Sequence, residues 1–117
     1  IDDIICKSEI ESTWLKAVLL LEQKNTQTSI SLFSSISTGD CLFALSSQIE
    51  LIFLQPVAYV NNNDLIKNLI KRTKVLPQDR LLARLYHALS ILMMWRRNSP
   101  QTINYLLKSR DIYFTNF

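Results

Sequence analysis

Six cationic or titratable side chains recur at helical spacing in the second half of the chain: Lys67, Lys71 and Lys74 in "DLIKNLIKRTKV", then Arg80, Arg84 and His87 in "QDRLLARLYHALS". Positions i, i+4 and i+7 share one side of a helix. The first trio therefore makes a basic strip opposite an apolar face of Leu65, Ile66, Leu69 and Ile70. Such a strip can stay solvated, dock an acidic protein segment, or contact phosphates in a salt-dependent way. The last two are recognition, and none is bond-making. His87 is the single histidine; it stands between Tyr86 and Ala88 without an adjacent Cys or Asp, and reads as a structural residue rather than a general base. Asp2 and Asp3 are terminal and expected to be solvated, while Glu9 and Glu11 face different ways on one helix.

Other catalytic inventories are thin. The one glycine, Gly39, rules against a phosphate-cradling loop of the dinucleotide or P-loop kind, since both need several residues with unrestricted backbone angles. Cys6 and Cys41 are too few and too far apart for a zinc site, which takes four ligands, commonly as close pairs. No metal and no cofactor are expected, and an enzyme is disfavoured. The two cysteines are either buried free thiols or one disulfide, and the disulfide requires an exported chain.

The elements that must carry the basic residues are helices. A chain of 117 residues, 48% hydrophobic and 20% charged, has the size of one domain with a real core. The scarcity of glycine argues against the tight turns of an all-β chain. Stop and start residues divide it into six helices. The first runs from about Glu9 to Lys24, with Ser8 and Glu11 as a capping box. Asn25 is the expected left-handed stop and Thr26 the cap of a second helix, about Gln27 to Ser37. Gly39 and Asp40 repeat the device before a third, about Cys41 to Leu54, ended by Gln55-Pro56. "AYVNNND" reads as an open loop whose asparagines and Asp64 cap a fourth, to Val75. Leu76-Pro77 breaks the chain, a fifth helix spans about Gln78 to Arg97, and Ser99-Pro100 opens the sixth.

Charge is distributed unevenly. Residues 1–63 hold three Lys/Arg and seven Asp/Glu, and residues 64–117 hold ten and three, within a total of +3. The basic end should prefer acidic partners, including the acidic half of a second copy, so a homo-oligomer is one expectation. "CLFALSSQIELIFLQPVAYV" is the most apolar window, but its serines, glutamines, Glu50 and Pro56 make a bilayer placement costly. No membrane span is expected. No signal peptide is visible in "IDDIICKSEIE", and a cytoplasmic home is preferred; an exported or periplasmic one follows if Cys6 and Cys41 are bridged. The first residue is Ile1, as in a segment excised from a larger protein.

On the last two helices, Tyr86, Leu89, Ser90 and Met93 precede Thr102, Leu106 and Ser109. Small residues at Ser90, Thr102 and Ser109 would let two helices approach closely, with Tyr86, Met93 and Leu106 filling the groove between them. This pattern resembles the tetratricopeptide repeat, whose two-helix unit alternates small and bulky positions in this way. In the first hairpin Ala17, Leu20, Ser29 and Phe33 fall at matching spacings, although Lys16 stands where a leucine is usual and Trp14 is one place out of register. The middle hairpin departs from the pattern at Glu50.

The expected fold is thus all-α, with about six antiparallel helices in three stacked, tetratricopeptide-like hairpins and an ordinary helical bundle as the alternative. The resemblance implies a non-enzymatic protein-interaction or regulatory domain, as in the helical part of a bacterial transcription regulator of the invasion-gene activator type, or a small secretion chaperone. A helical nucleic-acid-binding domain using the basic half is the alternative from another class. The candidate partner-binding residues are Lys67, Lys71, Lys74, Arg80, Arg84 and His87.

Overall fold

The computed structural model describes residues 6–76 and 78–116; Asp2, Asp3 and Pro77 lie outside them. The described residues form seven helices and no strand: α1 (Ser8–Glu22), α2 (Thr26–Ile36), α3 (Leu42–Leu54), α4 (Pro56–Tyr59), α5 (Asn63–Val75), α6 (Asp79–Trp95) and α7 (Ser99–Asn116). The protein is all-α. It divides into two compact units, one ending at Leu54 and the other beginning at Gln55. Among the described residues no helix is long and apolar enough to cross a membrane.

In the first unit α1 and α2 form a hairpin, and α3 packs on both. Ala17, Ser29 and Phe33 are fully buried in the hairpin. Ser29 Oγ donates to the carbonyl oxygen of Ala17 at 2.8 Å, so the small residue both permits the close approach and satisfies its own hydroxyl. A disulfide joins Cys6, before α1, to Cys41, before α3, with Cα atoms 5.1 Å apart. The amide of Phe43 donates to Cys6 Sγ at 3.2 Å, and the rings of Trp14 and Phe43 lie 4.9 Å apart. The bridge, the amide and the ring pair together fix the start of α3 against α1.

In the second unit α6 is the central element. It packs on α4, α5 and α7, and Ala83, Leu85, Ala88, Leu89 and Leu92 are fully buried. Ser90, Thr102 and Ser109 are small and buried, as expected, and Tyr86 and Met93 are buried with them. Ser109 Oγ donates to the carbonyl of Ala83 at 2.8 Å, the same device as Ser29 on Ala17. Leu106 departs from expectation. It is 42% exposed, unlike the buried Thr102 and Ser109 of the same helix.

Several helix ends also differ from the sequence reading. Ser8 is the first residue of α1, and Lys7 is the cap residue, without a side-chain hydrogen bond. The left-handed residue after α1 is Lys24, with φ 63°, not Asn25. Gly39 has no positive φ. At α5 the expected asparagine cap is present: Asn62 Oδ1 accepts from the Leu65 amide at 3.1 Å, while Asp64 lies within the first turn. Before α7 it is Asn98 Oδ1 that accepts, from the Gln101 amide at 3.3 Å. Part of the expected loop "AYVNNND" belongs to α4, which starts at Pro56: proline ends α3 and is also pre-organised for the first turn of a new helix.

The turns of the two hairpins are the same motif. After α1, the amides of Lys24 and Asn25 donate to the carbonyls of Leu21 and Leu20; after α6, the amides of Arg97 and Asn98 donate to those of Met94 and Met93. Both are Schellman closures with a non-glycine residue in the left-handed position, Lys24 and Arg97. The stretches "KNTQTS" from Lys24 and "RNSPQT" from Arg97 align residue for residue as basic, Asn, hydroxyl, two variable positions, hydroxyl. Ser29 and Thr102 are the buried hydroxyls at their ends.

Candidate partner-binding site

Arg96, at the end of α6, reaches back across the second unit. Its Nε donates to the carbonyl oxygen of Val60, and its Nη2 donates to Asn63 Oδ1 at 2.6 Å. A planar fork with fixed donors suits this double contact, which a lysine could not copy. The pair of bonds ties the α4–α5 connection and the first turn of α5 to the α6–α7 turn.

The tie frames a cleft of about 240 Å³ bounded by α5, the end of α6 and the start of α7. Ile66, Ile70 and Met93 give it apolar surface. Lys67, Arg96, Asn63, Asn98 and Gln101 bring hydrogen-bonding groups to its edge, and Tyr105 closes one side. Tyr105 is held in place by stacking on Tyr86, with ring centroids 5.9 Å apart. Lys108 Nζ lies 5.5 Å from the Tyr86 centroid and 5.6 Å from that of Tyr105, a cation–π arrangement that adds positive charge beside the cleft. Apolar surface with a few convergent polar groups is the general character of a recognition site.

The residues singled out from the sequence are distributed around this geometry. Lys67, Lys71 and Lys74 are exposed along α5, opposite the buried Ile66 and Leu69. Arg80, Arg84 and His87 are exposed along α6. Lys67 lines the cleft with Met93 and Arg96 from the far end of α6, so α5 and α6 run antiparallel and Lys74 stands at the end of the pair where α6 starts, with Arg80 in its first turn. Of the six, Lys67 belongs to the cleft; the other five do not line it. Among the described residues no cluster of His, Cys, Asp and Glu groups into a metal-binding set.

Sequence reasoning missed Arg96, Asn63, Asn98, Gln101 and Tyr105. Asn98 could have been found from the "KN"/"RN" correspondence between the two turns. Arg96 could not, because its partners stand 36 and 33 residues away in the chain. Compared with protein-family models, curated proteins and solved structures, the chain has no match.

Proposed function

We propose that the chain is a non-enzymatic protein-interaction module of tetratricopeptide-like hairpins, whose second unit binds an acidic, apolar-anchored segment of a partner protein. The observation that carries this reading is the cleft: apolar Ile66, Ile70 and Met93 beside the cations Lys67 and Arg96. A volume of about 240 Å³ falls below the roughly 300–1,000 Å³ of small-molecule sites and suits one or two anchoring side chains. The flanking Lys71 and Lys74 are exposed on the same helix and would orient an acidic segment along α5, with charge governing encounter and register more than net affinity.

The hairpins support the tetratricopeptide-like reading through their buried small residues and their 73-residue repeat, from Lys24 to Arg97, which is close to two units of 34. A regulatory domain of a larger protein and a secretion chaperone both fit a surface of this kind. The Cys6–Cys41 bridge favours an oxidising compartment over a reducing one.

Selection of random displayed peptides on the intact protein tests the reading. Enriched sequences should pair an apolar residue with Asp or Glu, and Lys67→Glu should weaken their binding at least tenfold. Duplex DNA of unrelated sequence provides the opposing measurement. Micromolar binding that falls steeply with salt, together with no enriched acidic peptide, would replace this reading with the nucleic-acid one.

A further inference from the structure

Shifted by 73 residues, α2 and α7 hold the same place in their hairpins: Asn25 corresponds to Asn98, Ser29 to Thr102, Ile30 to Ile103 and Phe33 to Leu106. Their surroundings differ. Phe33 is fully buried and Ile30 half-buried, whereas Leu106 is 42% and Ile103 56% exposed. In the first unit α3 packs on α2; in the second, α6 is the helix packed on α7. Leu107 and Phe114, 43% and 80% exposed, extend the same strip along α7, since positions 103, 106, 107 and 114 lie on one side of a helix. Arg110 stands within this strip, its guanidinium 3.2 Å from the Asp111 carboxylate. None of these residues lines the cleft.

We propose that this face of α7 docks an amphipathic helix of another polypeptide, seated on α7 as α3 is seated on α2, with a carboxylate set opposite Arg110. Anchors spaced three, four and seven residues apart on an exposed helix are the requirement of helix-on-helix recognition, and exposed apolar residues gathered on one face are a mark of such a site. Charge selects the occupant. Two copies joined α7 to α7 would bring together two Arg110 strips, each on a half of the chain with ten Lys/Arg against three Asp/Glu. An acidic helix meets attraction where a second copy presenting its own α7 meets repulsion. The proposal does not depend on the cleft.

The probe is a fluorescent synthetic peptide with the sequence of α3, LFALSSQIELIFL, extended by two glutamates at each end and titrated by anisotropy into the intact, unreduced protein at about 0.15 M salt. Saturable binding is expected. It should weaken at least tenfold in Leu107→Glu and in Arg110→Glu, and stay unchanged in Leu19→Glu, which alters an exposed leucine of α1. Phe114→Glu, at the most exposed position of the strip, substitutes for Leu107→Glu if that variant fails to fold. No saturable binding, equal binding of a scrambled peptide, or equal binding by wild type and Leu107→Glu would overturn the proposal. A loss confined to Lys67→Glu would overturn it too, while moving the peptide to the cleft. Light scattering at about 0.5 M salt, where charge attraction is screened, gives the remaining outcome: a dimer that Leu107→Glu converts to monomer would assign the face to a second copy and end the proposal.

Discussion

Lys24 and Arg97 occupy the same left-handed conformation, φ 63° and 56°, at the same point of two helical hairpins 73 residues apart. Each donates its amide to the residue three places back, and the following asparagine closes the longer bond. An L side chain in this region costs roughly 1–2 kcal/mol, so both turns are held by the closure hydrogen bonds against a local preference. Replacement by glycine removes that strain and increases the freedom of the unfolded chain by a smaller amount. Lys24→Gly and Arg97→Gly are therefore each expected to stabilise by up to about 1 kcal/mol. Lys24→Val should destabilise by about 1–2 kcal/mol, since β-branching worsens the clash. Urea denaturation of the three variants reads the order directly; a glycine variant less stable than wild type would mean that the turn does not hold the left-handed geometry.

Ser90 and Thr102 are buried at the α6–α7 contact, whereas Leu106 is open to solvent. Enlarging either of the first two must push the helices apart. Ser90→Trp and Thr102→Trp are expected to cost roughly 1–3 kcal/mol or more through overpacking. Leu106→Gln should change stability by less than about 0.5 kcal/mol, as surface substitutions do. Thermal melts of the three compare them, and a Leu106 variant as damaged as Ser90→Trp would place Leu106 in the contact after all.

The Cys6–Cys41 bridge closes a loop with a sequence separation of 35 that contains all of α1 and α2. By the chain-entropy estimate such a loop adds on the order of 3–4 kcal/mol. Reduction, or Cys6→Ser with Cys41→Ser, should lower the urea midpoint by a corresponding amount without loss of helix by circular dichroism at low denaturant. Thiol counting on unreduced, unfolded protein should find none free. Two free thiols would remove both the stabilisation and the argument for an oxidising compartment.

Local signals carried the helices and failed at their joints. The apolar spacing of Ile66 and Leu69 against Lys67, Lys71 and Lys74 placed the exposed face of α5 correctly, because periodicity reports which side of a helix meets the core. Asn25 was the expected left-handed residue on preference, but the closure hydrogen bonds select position rather than type, and they select Lys24. Pro56 follows the end of α3, as a terminator should, and is also the first residue of α4; the same fixed φ serves both ends. Leu106 was expected between the helices. Thr102 and Ser109 are the residues buried on α7, and Leu106, one turn along the helix from each, is 42% exposed. The cleft depends on Arg96 reaching Val60 and Asn63, a long-range contact that no window of sequence reports.

The charge asymmetry leads to a final expectation. The residues up to Leu54 hold three Lys/Arg and seven Asp/Glu, and those from Gln55 hold ten and three, so each unit carries a net charge opposite to the other's. Two copies that meet acidic unit to basic unit gain attraction, and the contact is heterologous, so it can repeat into short chains rather than closing as a pair. The exposed Lys71, Arg80 and Arg84 are the cations for this encounter and lie outside the cleft and the α7 strip. Pairs at a solvated surface contribute about 1 kcal/mol or less each, so the association should be weak, visible at low salt and gone by about 0.5 M, where the screening length falls well below 10 Å. Light scattering over a concentration series at both salts measures it, with the triple variant Lys71→Glu, Arg80→Glu, Arg84→Glu expected to stay monomeric throughout. A wild-type protein that is monomeric at low salt as well would exclude self-association through this strip, and the basic side chains would then be left to a partner of different sequence.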